Sequence, residues 1–380
     1  MKLYYIANAR MPTEKAHGIQ IAKMCEAFIE AGVDLVLVVP RRKTDTSKSV
    51  RAYYGLRTDV PLVVLPALDW YLGGRFFYWV SAVTFMLSYL WYIAVHVDRK
   101  NAVLYTVDLD HVAYLGLPLL RTAYFTEMHG GKPRHFLYRI FFSHVRGVIA
   151  TNQITREELV SKFGIPSAHT LVEPNAVDVS VFTATAKDVA RERLGLPKDM
   201  RLALYNGRFF DWKGLEILPA AADLLKGEVT VGIVGGTKEG LEEFTGKDTR
   251  LDSLRFFGSQ PFTSMPLWLS AADVFVVLGT RRDEQSLRYT SPMKLFEFMA
   301  IGRPIVASKT PALQQILSDR ECIFYEPDDA SSLAAAMKTA LGSDTEEKVR
   351  AARRHVEGLS WQGRAQRIRA FMNTRLEKAI

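Results

Sequence analysis

Ser286–Ser308 reads SLRYTSPMKLFEFMAIGRPIVAS, and its local chemistry decides how the chain around it is organised. Ser291 suits a helix N-cap, Pro292 the first helical position and Gly302 the residue just past the C-terminus. The segment therefore predicts a helix of about three turns. Arg303-Pro304 leads from it straight into a short buried strand, Pro304–Ala307. Leu295, Phe296 and Met299 share one side of the helix and suit a core, while Lys294 and Glu297, three apart, share another. A cation in the first turn opposes the helix dipole, where an anion is favoured. Lys294 thus has two readings: a solvated lysine with Glu297 as its surface partner, or one wall of a phosphate site at a helix N-terminus.

A helix feeding a buried strand is one step of an α/β repeat, and the repeat runs through the chain. Leu3–Ala7 is a short apolar strand followed by a polar loop, NARMPTEKAHG. A helix, Gln20–Ala31, is stopped by Gly32, and Val33–Val39 is a continuous apolar run of the kind a parallel sheet buries on both faces. Further strands are expected near Leu62–Leu65, Val103–Thr106, Ala123–Thr126 and Val148–Ala150. The rhythm restarts after a turn-rich connector, VEPNAVDVSVF (Val172–Phe182), and a short charged helix, Ala186–Leu194. Strands then recur at Leu202–Tyr205, Val229–Val234, Leu254–Phe257, Val274–Val277, Pro304–Ala307 and Cys322–Tyr325. The expected fold class is α/β, with two Rossmann-like doubly wound domains, residues 1–178 and 179–360, facing a central cleft.

A chain of 380 residues suits two domains better than one, and 48% apolar with 24% charged residues is a soluble, globular composition. Two distant cysteines, Cys25 and Cys322, make neither a disulfide framework nor a metal cluster and suit a reducing, cytoplasmic compartment. The opening MKLYYI reads as a first strand and lacks a signal peptide's layout. A net charge of +8 points to an anionic partner: a nucleotide, a phospholipid surface or a nucleic acid. With no lysine-rich tail, zinc finger or aromatic RNA-binding signature, nucleic acid is set aside.

Two stretches bear on membranes. Phe76–Val97, FFYWVSAVTFMLSYLWYIAVHV, is long and apolar enough to span a bilayer. Spanning would put the flanking strands on opposite sides of the membrane, although both suit one sheet. The helix is then either buried in its domain or has its aromatic side at a membrane interface. Lys132–Arg146, KPRHFLYRIFFSHVR, mixes basic and aromatic residues, which fits anionic headgroups and an ordinary amphipathic helix equally.

Three constellations can carry chemistry. Tyr205–Gly214, YNGRFFDWKG, follows a strand and is expected to open a helix at about Gly214. Gly207 allows close backbone approach, and Arg208 and Lys213, with Lys294, could neutralise a diphosphate without a metal; alternatively they are loop-surface cations. Thr126–Gly131, TEMHGG, ends a strand, so His129 can reach into the cleft, and Glu127 either orients it or points away. Gly18, closing the first loop, could let backbone N–H groups approach a phosphate or sugar, while His17 reads as structural.

Together these stretches resemble the family 4 (group 1) retaining glycosyltransferases of the GT-B fold. The likeness includes HGIQIAKMCEAFIEAGVDLVLVVP, the EMHG loop, the VEPNAVDVSVF connector, ARERLGLP, GRFFDWKG, SPMKLFEFMAIGRPIVAS and the late LSWQGRAQRI (Leu359–Ile368). The resemblance implies a metal-independent, retaining transfer of a sugar from a UDP- or GDP-sugar to a glycan or lipid-linked acceptor. It implies no further cofactor, and a place in surface-polysaccharide or glycolipid assembly at the cytoplasmic membrane face. The first domain would take the acceptor, the second the donor, and the helix of residues 361–380 would cross back to the first. Arg208 and Lys213 match the pair that holds the donor diphosphate, with Gly207, Ser291 and Lys294 as further phosphate contacts. Glu297 matches the ribose ligand, Gly18 the first-domain glycine near the diphosphate, and His129, with Glu127, the catalytic histidine beside the reacting sugar.

The chain departs from the family pattern at Tyr289, where the motif's first glutamate stands, with Asp283 and Glu284 as candidate replacements, and at Ala176, where glycine is usual. Two other readings use the same fold: a nucleotide-sugar epimerase, and a non-catalytic nucleotide-sugar-binding scaffold. A dehydrogenase is disfavoured, because neither half carries GxGxxG after its first strand and GIVGG (Gly232–Gly236) is a partial echo.

Overall fold

Continuous apolar runs have no polar face to turn to water, so they pair side by side with helices covering both faces. In the computed structural model, which describes residues 2–43, 46–69, 74–108, 110, 112–246 and 251–377, they do so in two separate units. The first unit is Met1–Pro174 with Trp361–Ile380, and the second is Asn175–Ser360. In the first, β1 (Lys2–Ile6), β2 (Asp34–Pro40), β3 (Leu62–Leu65), β4 (Ala102–Val107), β5 (Tyr124–Met128), β6 (Gly147–Ala150) and β7 (Thr170–Val172) form one parallel sheet. Its order is β3-β2-β1-β4-β5-β6-β7. In the second, β8 (Leu202–Asn206), β9 (Thr230–Val234), β10 (Leu254–Phe256), β11 (Val274–Val277), β12 (Ile305–Ser308) and β13 (Ile323–Tyr325) pair in the order β10-β9-β8-β11-β12-β13. Each order reverses beside the unit's first strand, which makes both units doubly wound, Rossmann-like sheets.

Several boundaries differ from those expected, each for a local reason. The edge strand β7 was not anticipated, because its three half-buried residues give no apolar run. The chain enters the second unit after Pro174 rather than after Asp178. Asn175 is already committed there: its Nδ2 donates to the Ser291 carbonyl at 2.6 Å and its N–H to Ser291 Oγ at 3.3 Å. The first helix runs Ala16–Glu30, so Gly18 lies in its first turn and not in a loop. The Gly18 N–H donates to the Lys15 carbonyl at 2.9 Å. A methyl group at Gly18 would lie 2.3 Å from Tyr54 Oη and 2.5 Å from Thr13 Cγ2. Tyr54 Oη also donates to the Thr13 carbonyl at 2.7 Å and accepts from its N–H at 2.7 Å. Close packing of this loop is by itself enough to require the glycine.

The long apolar helix, Arg75–His96, sits between β3 and β4, which pair with β2 and β1 of one sheet. One of its sides, with Ala82, Phe85, Tyr89 and Ile93, is fully buried in the first unit's core. Tyr89 Oη is satisfied by the Ala113 carbonyl at 2.7 Å.

The last helix, Trp361–Glu377, packs on Ala16–Glu30 and carries a fully buried arginine, Arg364. Its guanidinium pairs with the fully buried Glu127 of β5 at 2.8 Å. It also donates to the Pro174 and Glu173 carbonyls at 2.7 and 3.3 Å. Glu127 accepts further bonds from Gln20 Nε2 at 2.8 Å and Tyr105 Oη at 2.7 Å. Burial pushes the Glu127 carboxyl up, but the Arg364 charge and the His129 hydrogen bond more than offset this and hold it well below the usual carboxylate range.

Removing one partner of such a pair strands the other in a dry site. Arg364→Ala is expected to destabilise the first unit by about 3–5 kcal/mol at pH 7, read as a shift of the denaturant midpoint. A group with a depressed folded pKa contributes stability above its unfolded pKa and loses it on acidification. The gap between wild type and variant therefore narrows as pH falls below 4.5, the ordinary value for this carboxyl.

Candidate functional site

In the second unit, β8 ends at Asn206 and the backbone turns at Gly207 with φ +145°, a region that L side chains rarely adopt. A methyl group on Gly207 would lie 3.4 Å from Lys213 Nζ and 3.7 Å from Lys294 Nζ. Two ammonium groups thus converge over one bare stretch of backbone. Lys213 is brought back to it by a 3₁₀ turn, Asp211–Lys213, which Gly214 closes in the left-handed conformation at φ +69°. The following helix consequently begins at Ile217, not at Gly214 as expected. Lys213 Nζ donates to the Arg208 carbonyl at 2.6 Å and lies 4.8 Å from the Phe210 ring centroid. Lys294 Nζ lies 4.0 Å over the Tyr205 ring.

The Lys294 helix runs Met293–Ile301 and is closed by left-handed Gly302, as its sequence predicts. Its N-terminal boundary residue is Pro292, not Ser291, and no side chain caps it. The Asn175 N–H donates to Ser291 Oγ in place of that cap, and the Asn175 amide donates to the Ser291 carbonyl, so the expected phosphate contact is tied to the connector. Glu297 is buried on the same helix, not a surface residue.

The electrostatics follow from the crowding. Burial, with the Arg208 guanidinium adding to it, lowers the Lys213 ammonium to about 8. Burial and the Lys213 charge push Lys294 well below the ordinary lysine range. Burial raises the Glu297 carboxyl to about 7 against the opposing pull of Lys294. Among the described residues, neither ammonium is held in an ion pair. Two crowded cations, beside a backbone that admits close approach, have the chemistry to receive an anion.

Neither candidate for the missing glutamate is placed as an open ligand. Asp283 accepts from the Gln285 and Ser286 N–H groups at 2.8 and 3.3 Å, capping a single π-helical turn, Gln285–Tyr289. Glu284 is exposed and faces Arg288 at 3.6 Å. Tyr289 lies beside the Arg288 guanidinium, 5.8 Å from ring centroid to charge.

In the first unit, His129 Nε2 lies 2.8 Å from Glu127 Oε1. An ionised carboxylate can only accept, so Nε2 carries the proton of this hydrogen bond. Glu127 is fully enclosed, while its partner His129 is partly exposed. Arg364, Gln20 and Tyr105, which hold Glu127, went unmarked in the sequence, since no local spacing signals a partner 237 residues away. His17 is neutral at pH 7: burial and the Lys15 charge lower it to about 4. A small pocket, partly open to solvent, lies beside β4 and β5 and is lined by Asp108, Asp110, Tyr114, Lys132 and Tyr138. Lys132 and Asp108 form an ion pair in its wall. Among the described residues, no cluster of three His, Cys, Asp or Glu side chains is placed to hold a metal ion.

Comparison with known proteins agrees with this architecture. Residues 18–181 match the model of Glycosyltransferase Family 4, and residues 201–343 that of glycosyl transferases group 1. The D-inositol 3-phosphate glycosyltransferase of Thermomonospora curvata is 28% identical over 58% of this chain and 55% of its own length. The chain spans about half the length of several such relatives. TuaC of Bacillus subtilis, whose name assigns it to teichuronic acid biosynthesis, is 24% identical over 89% of this chain and 88% of its own. Among solved structures, HepE of Anabaena in complex with UDP superposes with a TM-score of 0.73 at 17% identity, over 98% of this chain and 100% of that one.

The anion site can be tested without a substrate. Inorganic pyrophosphate is expected to bind the protein at pH 7, and Lys213→Met and Lys294→Met each to weaken it at least about tenfold by calorimetry. Because the Lys213 pKa is depressed, its charge is lost as pH rises through about 8, and affinity falls with it. Equal affinity in both variants means that the cations are solvated surface groups.

Proposed function

The chain belongs to the family 4, group 1 glycosyltransferases, and on that premise we propose that it moves a sugar from a nucleotide-diphosphate donor to a glycan or lipid-linked acceptor. The proposed transfer retains the anomeric configuration and needs no metal ion. The observation that carries the reading is the convergence of Lys213 and Lys294 over Gly207. A donor loses a diphosphate leaving group, and charge accumulates on its bridging oxygen as the bond to the sugar breaks. Cations already fixed there stabilise that charge more in the transition state than in the bound donor.

In the proposed step the acceptor hydroxyl oxygen bonds to the anomeric carbon on the face that the diphosphate leaves. The carbon–oxygen bond to the phosphate breaks, and the hydroxyl proton passes to the departing phosphate oxygen. Arg208, Lys213 and Lys294 hold the diphosphate, and Glu297 accepts hydrogen bonds from the ribose hydroxyls. His129, oriented by Glu127, is assigned the catalytic role beside the transferring sugar. The UDP bound to HepE supports a nucleotide-sugar donor, and the name of TuaC supports surface-polymer assembly as the setting.

The deciding experiment is a screen of UDP- and GDP-sugars in the presence of a chelator, with saccharide and lipid-linked acceptors, reading nucleotide release and the anomer of the product by NMR. Release with a retained anomer supports the proposal. Binding without release or transfer points to a scaffold, and an inverted product overturns the mechanism.

Arg208→Ala and Lys213→Ala are each expected to lower kcat/KM for the donor by roughly 10²–10³, the scale of losing one fixed charge-stabilising donor. Glu297→Gln is expected to raise the donor KM above pH 7, where the carboxyl near 7 is ionised, and to matter less below it. A donor KM unchanged at pH 8 removes Glu297 from the ribose site.

A further inference from the structure

The Arg75–His96 helix is apolar on all sides, yet the core takes only one of them. On the other, Phe76, Trp79, Leu87, Trp91 and Val95 are 51–68% exposed. From Leu87 onward they recur every four residues, so they form a stripe along one face. A helix that folded only to fill a core would carry polar residues there.

The stripe does not end with the helix. Gly116 lies against Met86 and Leu90, close enough that a methyl group would meet them at 3.1 and 2.8 Å. The 3₁₀ turn that follows, Leu117–Leu120, packs on the apolar helix and also on the Phe136–His144 helix. That turn exposes Leu119, and the second helix exposes Phe136 and Ile140. Its other side, with Tyr138, Phe141 and Phe142, is buried. Three neighbouring elements of the first unit thus present outward apolar residues while their inward sides are committed to the core.

The charge around this surface is mainly positive. From Val112 to Arg146 the only acidic residue is Glu127, which is fully buried against Arg364. Arg121, Arg134, Arg139 and Arg146 are all exposed. Beyond the C-terminus of the long helix, Lys100 is exposed as well, next to Asp98. Exposed tryptophans on an apolar stripe with a basic margin match a bilayer interface, where the rings sit at headgroup depth and the cations meet lipid phosphates. A second copy of the chain is a poorer fit, because a two-fold contact through this face would set the same basic residues of both copies together.

We propose that the face formed by the Arg75–His96 helix, the Leu117–Leu120 turn and the Phe136–His144 helix docks the protein on an anionic lipid surface. The long helix lies in the plane of the interface and does not cross it, since its buried side holds β3 and β4 in one sheet. The proposal is independent of the transfer chemistry: the residues involved are separate from those assigned to the donor.

Co-sedimentation of the full chain with phosphatidylcholine vesicles, with and without added phosphatidylglycerol, tests it. Binding is expected to the anionic vesicles, weakening as salt rises, and to be much weaker to pure phosphatidylcholine. The double variants Trp79→Ser/Trp91→Ser and Arg134→Glu/Arg139→Glu are expected to lose at least tenfold in partition coefficient. Both should keep the wild-type melting curve and pyrophosphate affinity, which separates loss of docking from loss of folding. Brominated lipids should quench the wild type more than the tryptophan variant. No binding to anionic vesicles overturns the proposal, as does equal binding by both variants. So does a wild-type dimer that Trp79→Ser/Trp91→Ser dissociates, which would make this face a contact between copies.

Discussion

The first unit depends on an ionised carboxylate in a place with no water. Glu127 sits on a strand buried on both faces, and its charge is tolerable only because partners from four other segments converge on it. Gln20 comes from the first helix, Tyr105 from β4, His129 from the loop after β5 and Arg364 from the last helix. Taking any one away leaves the rest with a charge that the interior cannot solvate. This explains why the chain returns to its first unit after 186 residues elsewhere: without Trp361–Glu377 the carboxylate has no counter-ion. The same guanidinium holds the Glu173 and Pro174 carbonyls, so one side chain fixes the returning helix, the strand that carries Glu127 and the last residues before the second unit. The orientation of His129 is a consequence of this network.

The second unit handles charge in the opposite way. Lys213 and Lys294 are brought together without an anion, and burial lowers both. Glu297, one helical turn from Lys294, offsets only part of this, since burial raises its own carboxyl to about 7. A protein that only had to fold would gain by replacing these groups with apolar ones. Perturbed lysines that persist beside a glycine with a bare, turned backbone are the pattern of a site whose missing charge arrives with a ligand. The contrast between the units is therefore chemical: one closes its electrostatics internally, the other leaves them open.

Much of this was legible in the sequence, and what was not has a common cause. Apolar runs locate twelve of the thirteen strands among the described residues, because burial on both faces leaves an unbroken signal; β7 gives none because it is short and half-buried. Lys294 stood out as a cation at the wrong end of a helix, an anomaly that the structure explains by Lys213 and Tyr205. Gly18 lies in a helical first turn and not in a loop, and a glycine needed for phosphate approach and one needed for the Tyr54 hydroxyl look identical in sequence. Ser291-Pro292 satisfies the local rule for a cap, but Asn175, 116 residues away, engages that serine. Arg364 gave no signal at all, since its partner is distant and an arginine on a late helix reads as surface. Local chemistry is legible one residue at a time; partners brought in by the fold are not.

The Arg75–His96 helix sharpens that distinction. Its composition alone fits a membrane span, a core helix and an interfacial helix, because hydropathy counts residues without saying which side they occupy. Topology removes the first, since the strands on either side of it lie in one sheet. Burial then divides the remaining two within the helix itself: Phe85, Tyr89 and Ile93 belong to the core, and Trp79, Leu87 and Trp91 do not. An exposed apolar stripe and an uncompensated pair of ammonium groups are the same kind of observation. Each is a group that folding alone would have covered or replaced, and in each the fold leaves chemistry that its own unit does not satisfy.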